Sequence, residues 1–307
     1  MKYVYGLPVP SDLDGTGIHV AILDTGIVRH PDFDQRILIF KDFVHGQKSI
    51  YDDNGHGTHV AGILAGNGTA GKNQIRGIAP GVQIIALKVL DGRGNGSLKH
   101  ILKALDWLLL YHRKFHIRII SISIGTIPDR DTGEGSEFMK KLDLLWDQGI
   151  CIFAAAGNAG PEKGSVTSPG INRKLITVGC CESFPLHIDR WNTRTQYSGR
   201  GPVEGNCVVK PEVVAYGKNI LSCNHMYLYG QKPYIQKSGT SMAVPMAAGS
   251  AALLLQKYPM LSNGQVKICF HESSRKLSIP RNQQGWGLIQ PVDLIYAGDL
   301  LVSKRLP

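Results

Sequence analysis

The sequence predicts an α/β protein, a single domain with a mostly parallel central sheet and helices on both faces. Short β-branched apolar runs recur along the chain, amphipathic helical patterns separate them, and no linker or repeat divides the series. With 307 residues, 43% hydrophobic and only 19% charged, the chain can bury the large core that such a sheet needs.

The apolar runs are IHVAILD (18–24), VQIIALKVL (82–90), IRIISISIG (117–125), ICIFAAAGN (150–158) and KLITVGC (174–180). They are continuous rather than alternating, the pattern of strands covered on both faces. Between them, SLKHILKALDWLLLYHRK places Leu98, Ile101, Leu102, Leu105 and Leu109 on one helical stripe behind a capping Ser97. EFMKKLDLLWDQG (137–149) does the same with Phe138, Leu142, Leu145 and Trp146, and Gly149 closes it.

The formal net charge is +10. The basic residues are scattered, and clusters such as Lys99 to Lys103 and His112 to Lys114 alternate with apolar helix positions. A solvated face is therefore expected, with neither nucleic acid nor membrane as partner. No apolar stretch is long enough to cross a bilayer, and the first residues lack the apolar core of a secretion signal. Six cysteines, at 151, 180, 181, 207, 223 and 269, show no CxxC or metal-binding spacing and read as reduced thiols. The expected location is cytoplasmic, or secreted if a leader and prodomain have been removed.

Parallel sheets bind ligands beyond the carboxyl ends of their strands, so the residues where strands stop matter most. Asp24 ends the first run at Asp-Thr-Gly, where an Asx-turn is the competing explanation. His56 stands between two glycines in DDNGHGTHVAGILAG (52–66), opening a helix; a structural hydrogen bond would also account for it. His59 suggests a metal pair with His56, but the Glu of HExxH and a third ligand are missing. Asn158 ends Ala-Ala-Gly-Asn and could be a turn residue. Ser241, in SGTSMA, is either a helix cap or a nucleophile at a helix N-terminus. Together they form the set that amide hydrolysis requires: a nucleophile, a base, a carboxylate to orient the base, and an amide donor for the oxyanion. Their order is Asp–His–Ser, and Ala243 stands where the hydrolase elbow G-x-S-x-G would have its second glycine.

Seven stretches carry a resemblance: VAILDTGI (20–27) with HPDF following, NGHGTHVAGILAG (54–66), RGIAPGVQIIALKVLDGRGNGS (76–97), IISISIG (119–125), AAAGNAGP (154–161), SGTSMAVPMAAGSAALLL (238–255) and GWGLIQP (285–291). Over about residues 15–295 the sequence resembles the subtilisin-like serine proteases, near their intracellular bacterial branch. The resemblance implies that residues 1–307 are one peptidase catalytic domain, with no signal or prodomain in the chain. It implies a serine endopeptidase working through an acyl-enzyme, with an apolar or aromatic residue preferred before the cut. Ser241 would attack, His56 would take its proton, Asp24 would orient His56, and Asn158 with the Ser241 N–H would hold the oxyanion. Ser123, Ile124 and Gly125 would bind an extended peptide as an added strand, and Ala154, Ala155, Ala156 and Gly157 would wall the pocket beside it. No cofactor is implied for the chemistry; structural calcium is possible, with Asp32 and the carboxylate-free loop GNGTAGKNQ (66–74) as its candidates and no metal ligands assigned. Partners would be protein or peptide substrates and an inhibitor or propeptide. Two alternatives remain: a catalytically silent binding scaffold, against which the intact triad speaks, and an esterase or ligase sharing the same nucleophile.

Overall fold

The computed structural model describes residues 1–33, 35–181, 197–203 and 208–303; Cys207 lies outside them. A small antiparallel hairpin, β1 (Lys2–Val4) and β2 (Leu7–Val9), leads in. The strands that follow are β3 (His19–Asp24), β4 (Ile37–Asp42), β5 (Gln83–Lys88), β6 (Ile117–Ile122), β7 (Cys151–Ala155), β8 (Ile176–Cys181) and β9 (Val213–Tyr216). These seven form one sheet in the order β4-β5-β3-β6-β7-β8-β9, every pairing parallel. A second hairpin, β10 (Ile220–Cys223) with β11 (Tyr234–Lys237), stands outside that sheet. The helices are α1 (His56–Ala65), α2 (Leu98–Tyr111), α3 (Glu137–Asp147), α4 (Thr240–Lys257), α5 (Asn263–Ser273), α6 (Arg281–Gln284) and α7 (Pro291–Ser303).

The continuous apolar runs are explained by what they touch. Successive strand residues point to opposite faces, and here both faces are covered. Val20, Ile22, Ile84, Ile119 and Phe153 pack with α1, α4, α5 and α7, whereas Ala21, Leu23, Ile85, Ile120 and Ile152 pack with α2 and α3. Helix α4 is buried almost all round, which is why its sequence shows little polar face. Ser97 caps α2 by accepting the His100 N–H at 3.3 Å, and Gly149 takes the left-handed conformation after α3. The edge strand β4 was not expected from the sequence; half-exposed, it lacks the apolar continuity of the inner strands.

From β3 the chain leads away to β4 on one side; from β6 it leads to β7 on the other. The topological switch point therefore lies between β3 and β6, where such sheets open a crevice beyond their strand ends. Asp24 ends β3 there, and Ser123 follows β6.

Candidate active site

Asp24 is buried at the end of β3, and its Oδ1 accepts both the Thr25 N–H at 2.7 Å and the His56 Nδ1–H at 2.7 Å. The second oxygen, Oδ2, is buried without a hydrogen-bond partner. His56 is the first residue of α1, and its side chain remains 25% exposed. The close approach of the two elements needs glycine: a Cβ on Gly57 would stand 2.2 Å from the Gly26 carbonyl oxygen. Burial pushes the His56 imidazole down and Lys237 opposes its charge, but the Asp24 carboxylate outweighs both and holds it above the ordinary value of 6.5.

Asp52, which no sequence motif singles out, builds the loop that presents His56. One of its oxygens accepts the Thr25 hydroxyl and the Gly55 N–H; the other accepts the Thr58 N–H and hydroxyl. Thr25 passes the link on by accepting the Gly57 N–H at 2.9 Å. These donors keep the Asp52 carboxyl below the usual carboxylate range in spite of burial. The neighbouring Lys88 is fully buried with all three ammonium protons placed, on Asp53 and on the carbonyls of Thr25 and Leu90.

Ser241 is the second residue of α4, in the first turn, where backbone N–H groups lack helical partners. Its hydroxyl donates to the Ser123 carbonyl at 3.1 Å, a bond it must give up to pass its proton to His56. The Ser123 hydroxyl in return donates to the Ser241 carbonyl at 3.1 Å. That carbonyl would normally bond the N–H four residues on, but Pro245 stands there and has none. Ser123 thus satisfies an acceptor that the helix leaves open. Asn158 Oδ1 accepts the Thr240 N–H and hydroxyl, each at 3.0 Å. Because the Thr240 N–H can only donate, the Asn158 amide is oriented with its NH₂ on the other side. A Cβ on Gly239 would stand 3.4 Å from that Nδ2 and 3.8 Å from the Ser241 nitrogen, so both donors border one spot.

Ser123 to Gly125 run on from β6 beside residues 165–168. Cβ atoms on Gly125 and Gly157 would both collide with the Thr167 hydroxyl, at 2.4 and 2.2 Å. Ala154 and Ala155 belong to the two core layers, and Ala156 is tied by its backbone to Val178 and Thr167, so their methyl groups lie inside the fold. The Ile124 side chain lines a cavity of about 360 Å³ with Leu90, Ile101, Ile122, Phe138 and Thr132.

The description of the subtilase family matches residues 15–287. The chain belongs to the subtilase family. It is 39% identical over 269 residues to Serine protease AprX of Bacillus subtilis (strain 168), covering 83% of this chain and 60% of that protein. It is 34% identical over 278 residues to Subtilisin Savinase of Lederbergia lenta, covering 90% of each. Among solved structures, Sphericase superposes with a TM-score of 0.78 at 28% identity, over 92% of this chain and 94% of that one. The chain spans less than two thirds of the length of AprX and 66% of that of a Thermostable alkaline protease from Halalkalibacterium halodurans.

Within this subtilase domain His59 is a strut: its Nε2 faces the carbonyls of Ile220 and Ile235, each at 3.0 Å, and burial pushes it down to about 3. It is not turned towards His56 as a metal partner. Calcium, which the family resemblance made possible at Asp32, does not fit the donors there. Asp32 already accepts the Ala70 N–H and the Tyr234 hydroxyl, and its other neighbours are a thiol and an imidazole rather than the six to eight oxygens of a calcium cage.

Proposed function

We propose that this domain is a serine endopeptidase acting on extended segments of proteins. The observation that carries the proposal is the Asp24–His56 contact of 2.7 Å at the switch point, across from a serine in the first turn of α4. Released from Ser123, Ser241 Oγ attacks the scissile carbonyl as His56 Nε2 takes its proton, and Asp24 supports the imidazolium. The carbonyl oxygen becomes an oxyanion between Asn158 Nδ2 and the Ser241 N–H. His56 then protonates the leaving amine, and water releases the acyl group by the reverse proton path. Nucleophile, acid–base and oxyanion donors are all protein groups, so the chemistry calls for no cofactor.

The substrate would lie along Ser123–Gly125 as an added strand, with an apolar side chain in the cavity beside Ile124. Apolar and aromatic residues ahead of the cut follow from that lining. Proteins or peptides are the partners this site suits, and an inhibitor or propeptide segment could occupy the same strand position. No helix among the described residues is long and apolar enough to cross a membrane. The five described cysteines are all buried, as suits thiols kept in a reducing, cytoplasmic setting.

A fluorophosphonate tests this reading by trapping the activated serine. Wild type should carry one adduct, on Ser241, and Ser241→Ala none. A folded wild type that stays unlabelled would make the domain a binding scaffold. Turnover of an ester without the matched anilide would make it an esterase.

A further inference from the structure

His30, Asp32 and Cys223 meet where β10 packs against α1, each no more than 1% exposed. One donor atom from each lies within 4.8 Å of the other two. The contact with α1 is tight: a Cβ on Gly62, six residues after His56, would be 2.7 Å from Cys223 Sγ. The trio is buried, drawn from distant parts of the chain, and used by no step of the peptidase chemistry.

Its donors are arranged as ligands usually are. His30 Nε2–H donates to the Pro233 carbonyl at 3.0 Å, which leaves Nδ1 unprotonated and aimed at Asp32; there it accepts one long bond, 3.2 Å, from the Asp32 N–H. A ring N–H fixed by a backbone carbonyl, with the other nitrogen unprotonated, is the usual state of a metal-binding histidine. Asp32 Oδ1 is steadied by the Ala70 N–H at 2.8 Å and Oδ2 by the Tyr234 hydroxyl at 2.9 Å. Cys223 Sγ lies 3.7 Å from Asp32 Oδ2, and His30 Nδ1 lies 3.8 Å from Oδ1. Ligand atoms around a tetrahedral zinc are about 3.5 Å apart, so small side-chain shifts close the gap. The Tyr5 hydroxyl is buried as well, beside Ser222.

We propose that His30 Nδ1, the Asp32 carboxylate and Cys223 Sγ form a binding site for a thiophilic divalent cation, for which zinc is the probe. The thiol proton now shared between Cys223 and Asp32 leaves to solvent as the S–Zn bond forms, and no oxidation is involved. Carboxylate and thiolate then balance the 2+ charge, so the buried site is neutral overall. The His30 Nδ1 lone pair turns from the Asp32 N–H to the cation. A bound cation would tie the segment after β3 to β10 directly against the helix that carries His56. It acts on stability and on the seating of α1, not on the reacting atoms.

The test uses the full chain as Ser241→Ala, so that autolysis does not intrude. The protein is loaded with zinc or with cobalt(II), passed through gel filtration, and assayed for metal content, ultraviolet absorption and thermal midpoint. The expected result is one zinc per chain, a thiolate-to-cobalt charge-transfer band, and a raised Tm. Adding Cys223→Ser should abolish the band and the retained zinc, and adding His30→Gln should abolish the retained zinc, with circular dichroism confirming folded protein. If the Cys223→Ser protein does not fold, the band in the parent together with zinc loss in His30→Gln decides. No zinc and no band in the parent overturns the proposal, as does a band that persists in folded Cys223→Ser.

Discussion

Asn158 shows how one residue's local bonds set what it can do. With Oδ1 held by Thr240, its NH₂ is committed to the spot beside the Ser241 N–H. Asn158→Leu keeps the size and removes the donor. Turnover should fall by roughly a hundred- to a thousand-fold, the figure known for subtilisin's own oxyanion asparagine, with KM little changed. Steady-state kinetics on a chromogenic peptide checks this, and a change confined to KM would show that Asn158 only holds substrate. Asp24, His56, Asn158 and Ser241 were legible in the sequence because each sits at a strand end or helix start in a distinctive glycine-rich setting. Asp52 was not, since its work is five hydrogen bonds to donors that only the folded loop brings near.

At the scale of elements, the exchange between β6 and α4 stands out. Pro245 deprives the Ser241 carbonyl of its helical donor, and the Ser123 hydroxyl replaces it. Removing that hydroxyl leaves the acceptor open, at a cost of about 1–3 kcal/mol. Ser123→Ala should therefore lower both kcat and Tm. In a Pro245→Ala background the restored N–H can bond Ser241, so the same change should cost clearly less, a coupling of more than about 0.5 kcal/mol. Additive losses would show that Ser123 acts elsewhere, for example on substrate. The inner strands could be read from sequence because burial on both faces leaves continuous apolar runs. The Ser123–Ser241 contact could not, because 118 residues separate its partners and neither segment's pattern refers to the other. The same holds for Cys223 and Asp32, 191 residues apart.

For the molecule as a whole, pH acts on activity and stability through different histidines. His56 must be neutral to take the serine proton, and its value is raised, so kcat/KM should climb with a midpoint above 6.5. Its own stability term runs the other way: the raised value favours the protonated folded form, present below 6.5 and lost as pH rises through the folded value. His59 outweighs it. Held down to about 3, it stays neutral in the fold while the unfolded chain takes up a proton below 6.5, so stability falls as pH drops through that range. Between pH 6.5 and 5 the loss from His59 is about 2 kcal/mol. Asp52 adds to it in stronger acid, since its depressed value stabilises the fold above 3.8 and that contribution goes as pH falls through the folded value. Urea unfolding of the Ser241→Ala protein from pH 7 to 5 should show this decline, and His59→Asn should flatten it. A slope unchanged by His59→Asn would place the effect on other groups.

Ser241, activated by His56 and Asp24, is the group proposed to cut peptide bonds. The most direct test compares purified wild type with Ser241→Ala on unfolded casein and on a peptide anilide, with matched folding shown by circular dichroism. Wild type should cleave both substrates, and Ser241→Ala neither. Equal cleavage by both proteins, or none by a folded wild type, would contradict this role.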